Sequence, residues 1–149
     1  MRDLAASCAR TQVVKTHDKL SAAQHQLEAA IADLFVGNWP SAITLAGAAE
    51  DILPPHEARP DLFTVAKGLS GKRFNESPKE IVEVLNEKRN WLKHDQSRDL
   101  KDTQTFTQED AVIMILRAST RFDAHNNGVQ SENLAIFREW FRTHYGDWL

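Results

Sequence analysis

Apolar residues in this chain return at steps of three and four, the period of an amphipathic helix, and nowhere at the alternating period of a strand. Leu20, Ala23, Leu27, Ala30, Ile31 and Leu34 form the first such stripe and predict a helix from about His17 to Phe35. Gly37-Asn38-Trp39-Pro40 ends it and opens a second helix, Pro40 to Leu53, which is rich in small residues: Ser41, Ala42, Ala46, Gly47, Ala48 and Ala49. Small side chains let a neighbouring helix come close, so this helix is expected at the centre of the fold. Glu50 lies on it one turn from Gly47, on a face predicted to be at least partly buried. A carboxylate in such a place requires a cationic partner or water.

Leu53-Pro54-Pro55-His56-Glu57-Ala58-Arg59-Pro60 cannot stay helical through its prolines and reads as a loop. Asp61 to Lys67 predicts a short helix anchored by Leu62, Phe63 and Val65, and Gly68 to Arg73 a turn. Its Gly-Leu-Ser-Gly-Lys-Arg run lacks the four residues between glycines, and the Ser or Thr after Lys, of a phosphate loop. Ser77-Pro78-Lys79-Glu80 is then a capping box with proline at the first helical position. Ile81, Leu85 and Leu92 mark the apolar face of the helix it starts, and Arg89 falls on that same face. Gln96 to Phe106 is a polar connection whose acids, with Asp95 beside it, lack the glycine and terminal glutamate of a calcium loop.

Thr107-Gln108-Glu109-Asp110 opens the next helix with a threonine cap and an acidic first turn. Val112, Ile113, Ile115, Leu116 and Phe122 carry it to Asn126, with Gly128 as its stop. The last helix runs from Ser131 to about Tyr145. Its apolar residues, Leu134, Ile136, Phe137, Trp140 and Phe141, cover more than one narrow stripe, which predicts a second burial surface such as a partner chain. The tail Gly146-Asp147-Trp148-Leu149 is expected to dock back on the bundle. The fold class is therefore all-α, an antiparallel bundle of about five helices. Residues 1–16 read as a leader, frayed or turned once into a short helix, and 17–149 as one domain.

Composition adds exclusions. With 149 residues, 42% of them hydrophobic, the chain can bury a core without staples. One cysteine, Cys8, leaves no internal disulfide or cysteine-based zinc site and fits a reducing cytosol. Arg2, Asp3, Arg10, Lys15 and Asp18 interrupt the start, so neither a signal peptide nor a membrane anchor is expected there. His17, His25, His56, His125 and His144 show no metal-ligand spacing, and neither metal nor cofactor is expected.

Charge singles out one stretch. The net charge is −3, yet Lys67 to Arg98 holds eight lysines and arginines against five acids. At its centre stands Glu87-Lys88-Arg89-Asn90-Trp91-Leu92-Lys93-His94-Asp95. Arg89 and Lys93 are one helical turn apart, as are Asn90 and His94, so each pair projects together near a helix C-terminus. Cations there are also favoured by the helix dipole alone, Arg89 pairs naturally with Glu50, and Trp91 reads as a core or interface residue.

The run Arg89 to His94 resembles the R-x4–6-H motif of the HEPN superfamily, small helical bundles of prokaryotic toxin, defence and RNA-processing systems. The bare R-x4–6-H pattern recurs at Arg10 to His17, with six intervening residues, and at Arg138 to His144, with five. The Arg89 copy differs from both by the Asn90 that follows the arginine, by the local positive charge and by its helix-end position. The resemblance in helix order spans roughly Leu20 to Tyr145, and Glu50 takes the place of the acidic residue often found on an earlier helix of that family.

What the resemblance implies is metal-independent cleavage of RNA by a homodimer. Arg89 would hold the scissile phosphate, Asn90 and Lys93 would orient it, and His94 would move protons at a site completed by the second copy. An antitoxin or other protein would be a natural partner. The alternative is the same dimeric bundle without catalysis, binding a partner protein or nucleotide as an interaction module, a reading the net acidity favours.

Overall fold

The computed structural model describes residues 13–55, 77–94, 97–126 and 131–146. Five helices make up the described part: α1 (Lys19–Phe35), α2 (Trp39–Ile52), α3 (Pro78–His94), α4 (Gln108–His125) and α5 (Glu132–Tyr145). No strand occurs among the described residues, so the fold is an all-α bundle. The expected helix at Asp61 to Lys67, the turn at Gly68 to Arg73, the stop at Gly128 and the docked tail after Gly146 lie outside those residues, as does most of the leader. Its last residues, from Val13, are non-helical and exposed.

Local chemistry places the helix ends. Asp18 caps α1 by accepting the Ser21 N–H at 2.7 Å. Gly37, at φ +79, turns the chain between α1 and α2 in the left-handed region. The Ser77–Glu80 box forms as the sequence predicts: the Ser77 N–H donates to the Glu80 carboxylate at 2.6 Å, and the Glu80 N–H to the Ser77 hydroxyl at 3.3 Å. Thr107 and Asp110 form a second reciprocal box at the start of α4, and Ser131 caps α5.

Leu27, Ile31, Ile43, Val112, Met114, Ile115, Phe122, Leu134 and Phe137 fill the core between these helices. α1 packs on α2 and α4, and α2, the small-residue helix, packs on α1, α4 and α3 as expected of a central element. Sequential neighbours α1 and α2, joined by a tight turn, are antiparallel. α4 and α5 are too: Arg138 pairs with Asp123, and Tyr145 lies back at Gln108. α2 and α4 are not consecutive, and their contacts step in the same direction along both: Gly47 faces Met114, Glu50 faces Arg117 and Arg121, and Pro54 faces His125. This parallel pair brings two helix C-terminal halves side by side.

α5 buries Leu134, Phe137, Phe141 and Tyr145 and leaves Ile136 49% exposed, beside a half-buried Trp140. Trp140 meets the exposed Phe35 edge to face at 5.4 Å, and Val36 follows it at the surface. Together these side chains leave an apolar patch at the surface. It sits at the α1–α2 turn, with eleven residues of α2, a rise of about 16 Å, between that turn and Glu50.

Candidate functional site

Glu50 is the centre of the site. Its side chain is only 2% exposed, and three arginines converge on it. Arg117 donates from Nε to Oε1, and Arg121 reaches the same oxygen from Nη2 at 3.4 Å. Arg89 approaches Oε2 from Nη1 at 3.5 Å. A second donor of Arg121, Nη1, reaches the Glu50 carbonyl at 3.1 Å, which also accepts the Leu53 N–H at 3.2 Å at the end of α2. Arg117 also donates to Asn86 Oδ1 at 3.1 Å and so ties α4 to α3. Burying a carboxylate at this depth is sustained only by such multiple charged donors.

Asp51, half-exposed, extends the cluster outward. Arg89 Nη1 donates to its Oδ1 and Lys93 Nζ to its Oδ2, both at 3.2 Å. The one-turn spacing of Arg89 and Lys93 on α3 is what lets both reach this carboxylate together. Arg89 gets there by crossing α2 at Gly47: a Cβ there would stand 2.8 Å from its Cδ and 3.3 Å from its Cγ. Its Nε–H is buried with no partner among the described residues.

The other half of the motif faces away. Arg89 and His94 are five positions apart, a rotation of about 140° round a helix, so the two side chains leave α3 in different directions. Asn90 and His94 are both exposed, on an outward stripe that also carries the exposed Glu83 and Glu87. The structure thus brings Glu50, Arg89 and Lys93 together and places Asn90 and His94 apart from them on the same chain. Lys88, within the same motif, is likewise turned inward and bound to Asp110 at 2.6 Å. Trp91 is half-buried: its indole donates to Asp102 at 3.2 Å, and its ring meets Phe106 at 5.9 Å.

Two residues of the cluster escaped the sequence reading, Arg117 and Arg121. Their signal was a pair of arginines four apart, directly after the apolar run Ala111 to Leu116, one turn from each other and on one face of the helix. A buried glutamate that required cations was the prompt to look for them.

Among the described residues no cluster of three or more His, Cys, Asp or Glu side chains is arranged to hold a metal ion. No helix among them is long and apolar enough to cross a membrane. Comparison with family models, curated proteins and solved structures finds no match to this chain.

Proposed function

We propose that this chain is a HEPN-like, metal-independent endoribonuclease of toxin or defence type, working as a homodimer with a composite site. The observation that carries the reading is the setting of Arg89: an arginine on the inward face of α3, oriented by Glu50 and Asp51 from α2, with Asn90 and His94 as the exposed groups at the same helix end. In the chemistry this implies, the ribose 2′-oxygen attacks the adjacent phosphorus while one His94 takes its proton. The bond from phosphorus to the 5′-oxygen breaks, a second imidazole protonates that leaving oxygen, and a 2′,3′-cyclic phosphate remains. Arg89 stabilises the charge that builds on the phosphoryl oxygens. Because Arg89 and His94 diverge within one chain, the histidine that acts beside a given Arg89 comes from the second copy, in a two-fold arrangement.

Purified protein incubated with single-stranded RNA in chelator tests the proposal. Cleavage should persist without metal, leave cyclic or 3′-phosphate ends and spare DNA, which lacks the nucleophile. His94→Ala should lose on the order of 10² to 10⁴ in rate and keep its helical content. Equal trace rates for the wild type and His94→Ala would reject the proposal.

One observation favours the second reading, a non-catalytic interaction module. The stripe that presents Asn90 and His94 also presents Glu83 and Glu87, and a separate apolar patch of Phe35, Val36 and Ile136 lies at the far end of α2. Both surfaces suit a protein partner better than a polyanion.

A further inference from the structure

Among the described residues, the charges around Glu50 do not balance. Arg89, Lys93, Arg117 and Arg121 bring four positive charges to a cluster in which the described residues supply two carboxylates, Glu50 and Asp51. The excess is not far out in solvent, where water and salt would dissipate it. Arg117, Arg89 and Arg121 are only 15%, 18% and 28% exposed, and Lys93 is 18% exposed. Cations in such partial burial keep much of their field, since screening by salt acts chiefly on exposed charges.

Donors remain as well as charge. Arg89 uses Nη1 for both carboxylates, which leaves its Nη2 group and its buried, unpartnered Nε–H. Arg117 uses Nε and Nη1, which leaves Nη2. A guanidinium presents its free donors as a fixed planar fork, the shape that meets two oxygens of a phosphate. A polar group left unmatched at this depth is costly, and an oxyanion would match it.

We infer that the α2–α3–α4 cluster is a binding subsite for phosphate esters carrying two negative charges, in which Arg117 and Arg121 of α4 act together with Arg89 and Lys93. The ligand is two adjacent phosphodiesters of a single strand or one phosphate monoester. The inference rests on the Arg89 site of the ribonuclease reading and extends it to α4, but it concerns binding and needs no cleavage. Glu50 and Asp51 are the counter-charges that set the excess at two, so removing one of them raises affinity.

The test uses the whole protein and two probes: a short single-stranded deoxyoligonucleotide, which has no 2′-hydroxyl to react, and inorganic phosphate. With two phosphates neutralised, log affinity for the oligonucleotide should fall against log salt with a slope of about −1.4. Lys93→Gln should reduce that slope to about −0.7, and Asp51→Asn should steepen it to about −2.1 and tighten binding. A variant that merely unfolds cannot bind more tightly, so Asp51→Asn keeps the test decisive. Inorganic phosphate that protects the fold as well as the oligonucleotide does, at equal phosphate, identifies a free phosphate ester as the ligand; a clear preference for the oligonucleotide identifies a strand. Binding of neither probe, or a slope that ignores both substitutions, overturns the inference. RNA cleavage is scored separately, so binding without cleavage removes the ribonuclease reading alone, and cleavage with an unaltered salt slope removes the subsite alone.

Discussion

Arg89 crosses α2 at Gly47, the one place along that crossing where no Cβ stands in its way. A Cβ added there would lie 2.8 Å from Arg89 Cδ, inside van der Waals contact, with Met114 Cε 3.6 Å off on the other side. The glycine costs helix stability of roughly 0.5–1 kcal/mol relative to alanine, so its presence is explained by the arginine stem. Without that close passage the Arg89 head could not reach Glu50 and Asp51 at once.

Gly47→Ala should therefore change sign with its partner. In the wild-type background the overpacked methyl should destabilise by about 1–3 kcal/mol, since the Arg89 head is anchored and the stem has little room to yield. In an Arg89→Ala background the same substitution should stabilise by up to about 1 kcal/mol through helix propensity. Chemical denaturation of the four proteins measures the coupling directly, and additive effects would show that the two residues do not depend on each other.

Glu50→Gln should be the most damaging single substitution in the cluster. It leaves the partly buried Arg117 and Arg121 without a carboxylate and Arg89 with Asp51 alone, and should cost about 3–5 kcal/mol, whereas Asp51→Asn, half-exposed, should cost about 1 kcal/mol or less. Arg89→Met should not restore the loss, because Arg117 and Arg121 remain unpaired. Recovery by Arg89→Met alone, seen in melting curves of the double variant, would mean that the α4 arginines contribute little.

Much of the frame could be read from the chain because its signals are local. The Ser77–Glu80 box, the Thr107 cap, the Gly37 turn and the three-and-four spacing of Leu27, Ile31 and Leu34 each act within a few residues, and each appears where expected; the reciprocal bond from Asp110 that completes a second box was not foreseen. The site was legible only in part. Glu50 announced a buried charge by its place among small residues, and Arg89 by its place among apolar ones. Arg117 and Arg121 lie more than sixty residues beyond Glu50, and nothing local states that α4 runs parallel to α2. The separation of His94 from Arg89 was contained in their five-residue spacing, but the pairing of Asn90 with His94 at one turn drew attention to the end of the helix and not to its circumference.

The start of α3 should respond to acid. The Ser77 backbone N–H, and after it the Ser77 hydroxyl, hold the Glu80 carboxyl below its ordinary value. A carboxyl lowered in the folded state supports folding above its unfolded pKa and ceases to do so as pH falls through the folded one. Amide exchange at the first turn of α3 should accordingly quicken at acid pH before the core of α4 does. Ser77→Ala should raise the Glu80 titration measured by NMR, though not fully to the free value, because the backbone N–H of residue 77 still donates. An unchanged titration would assign the lowering to something other than the Ser77 hydroxyl.

Assembly is where the proposed chemistry is most exposed. A homodimer built only on the Phe35, Val36 and Ile136 patch would meet at the α1–α2 turn, about 16 Å of helix away from Glu50, and its two His94 side chains would not share a phosphate. A composite site requires contact around the C-terminal end of α3 instead, where His94 of one copy can reach Arg89 of the other. Light scattering should then show a dimer in the wild type that persists when Ile136 is replaced by a polar residue, and one that Asn90→Arg weakens by setting two added charges near the two-fold axis. Specific ribonuclease activity should fall in proportion to the dimer fraction on dilution, and faster for Asn90→Arg than for the Ile136 variant. Activity per chain that stays constant while the protein dissociates would mean that one copy cleaves alone, and the 140° between Arg89 and His94 would then have to be closed by movement within α3 and not by a partner.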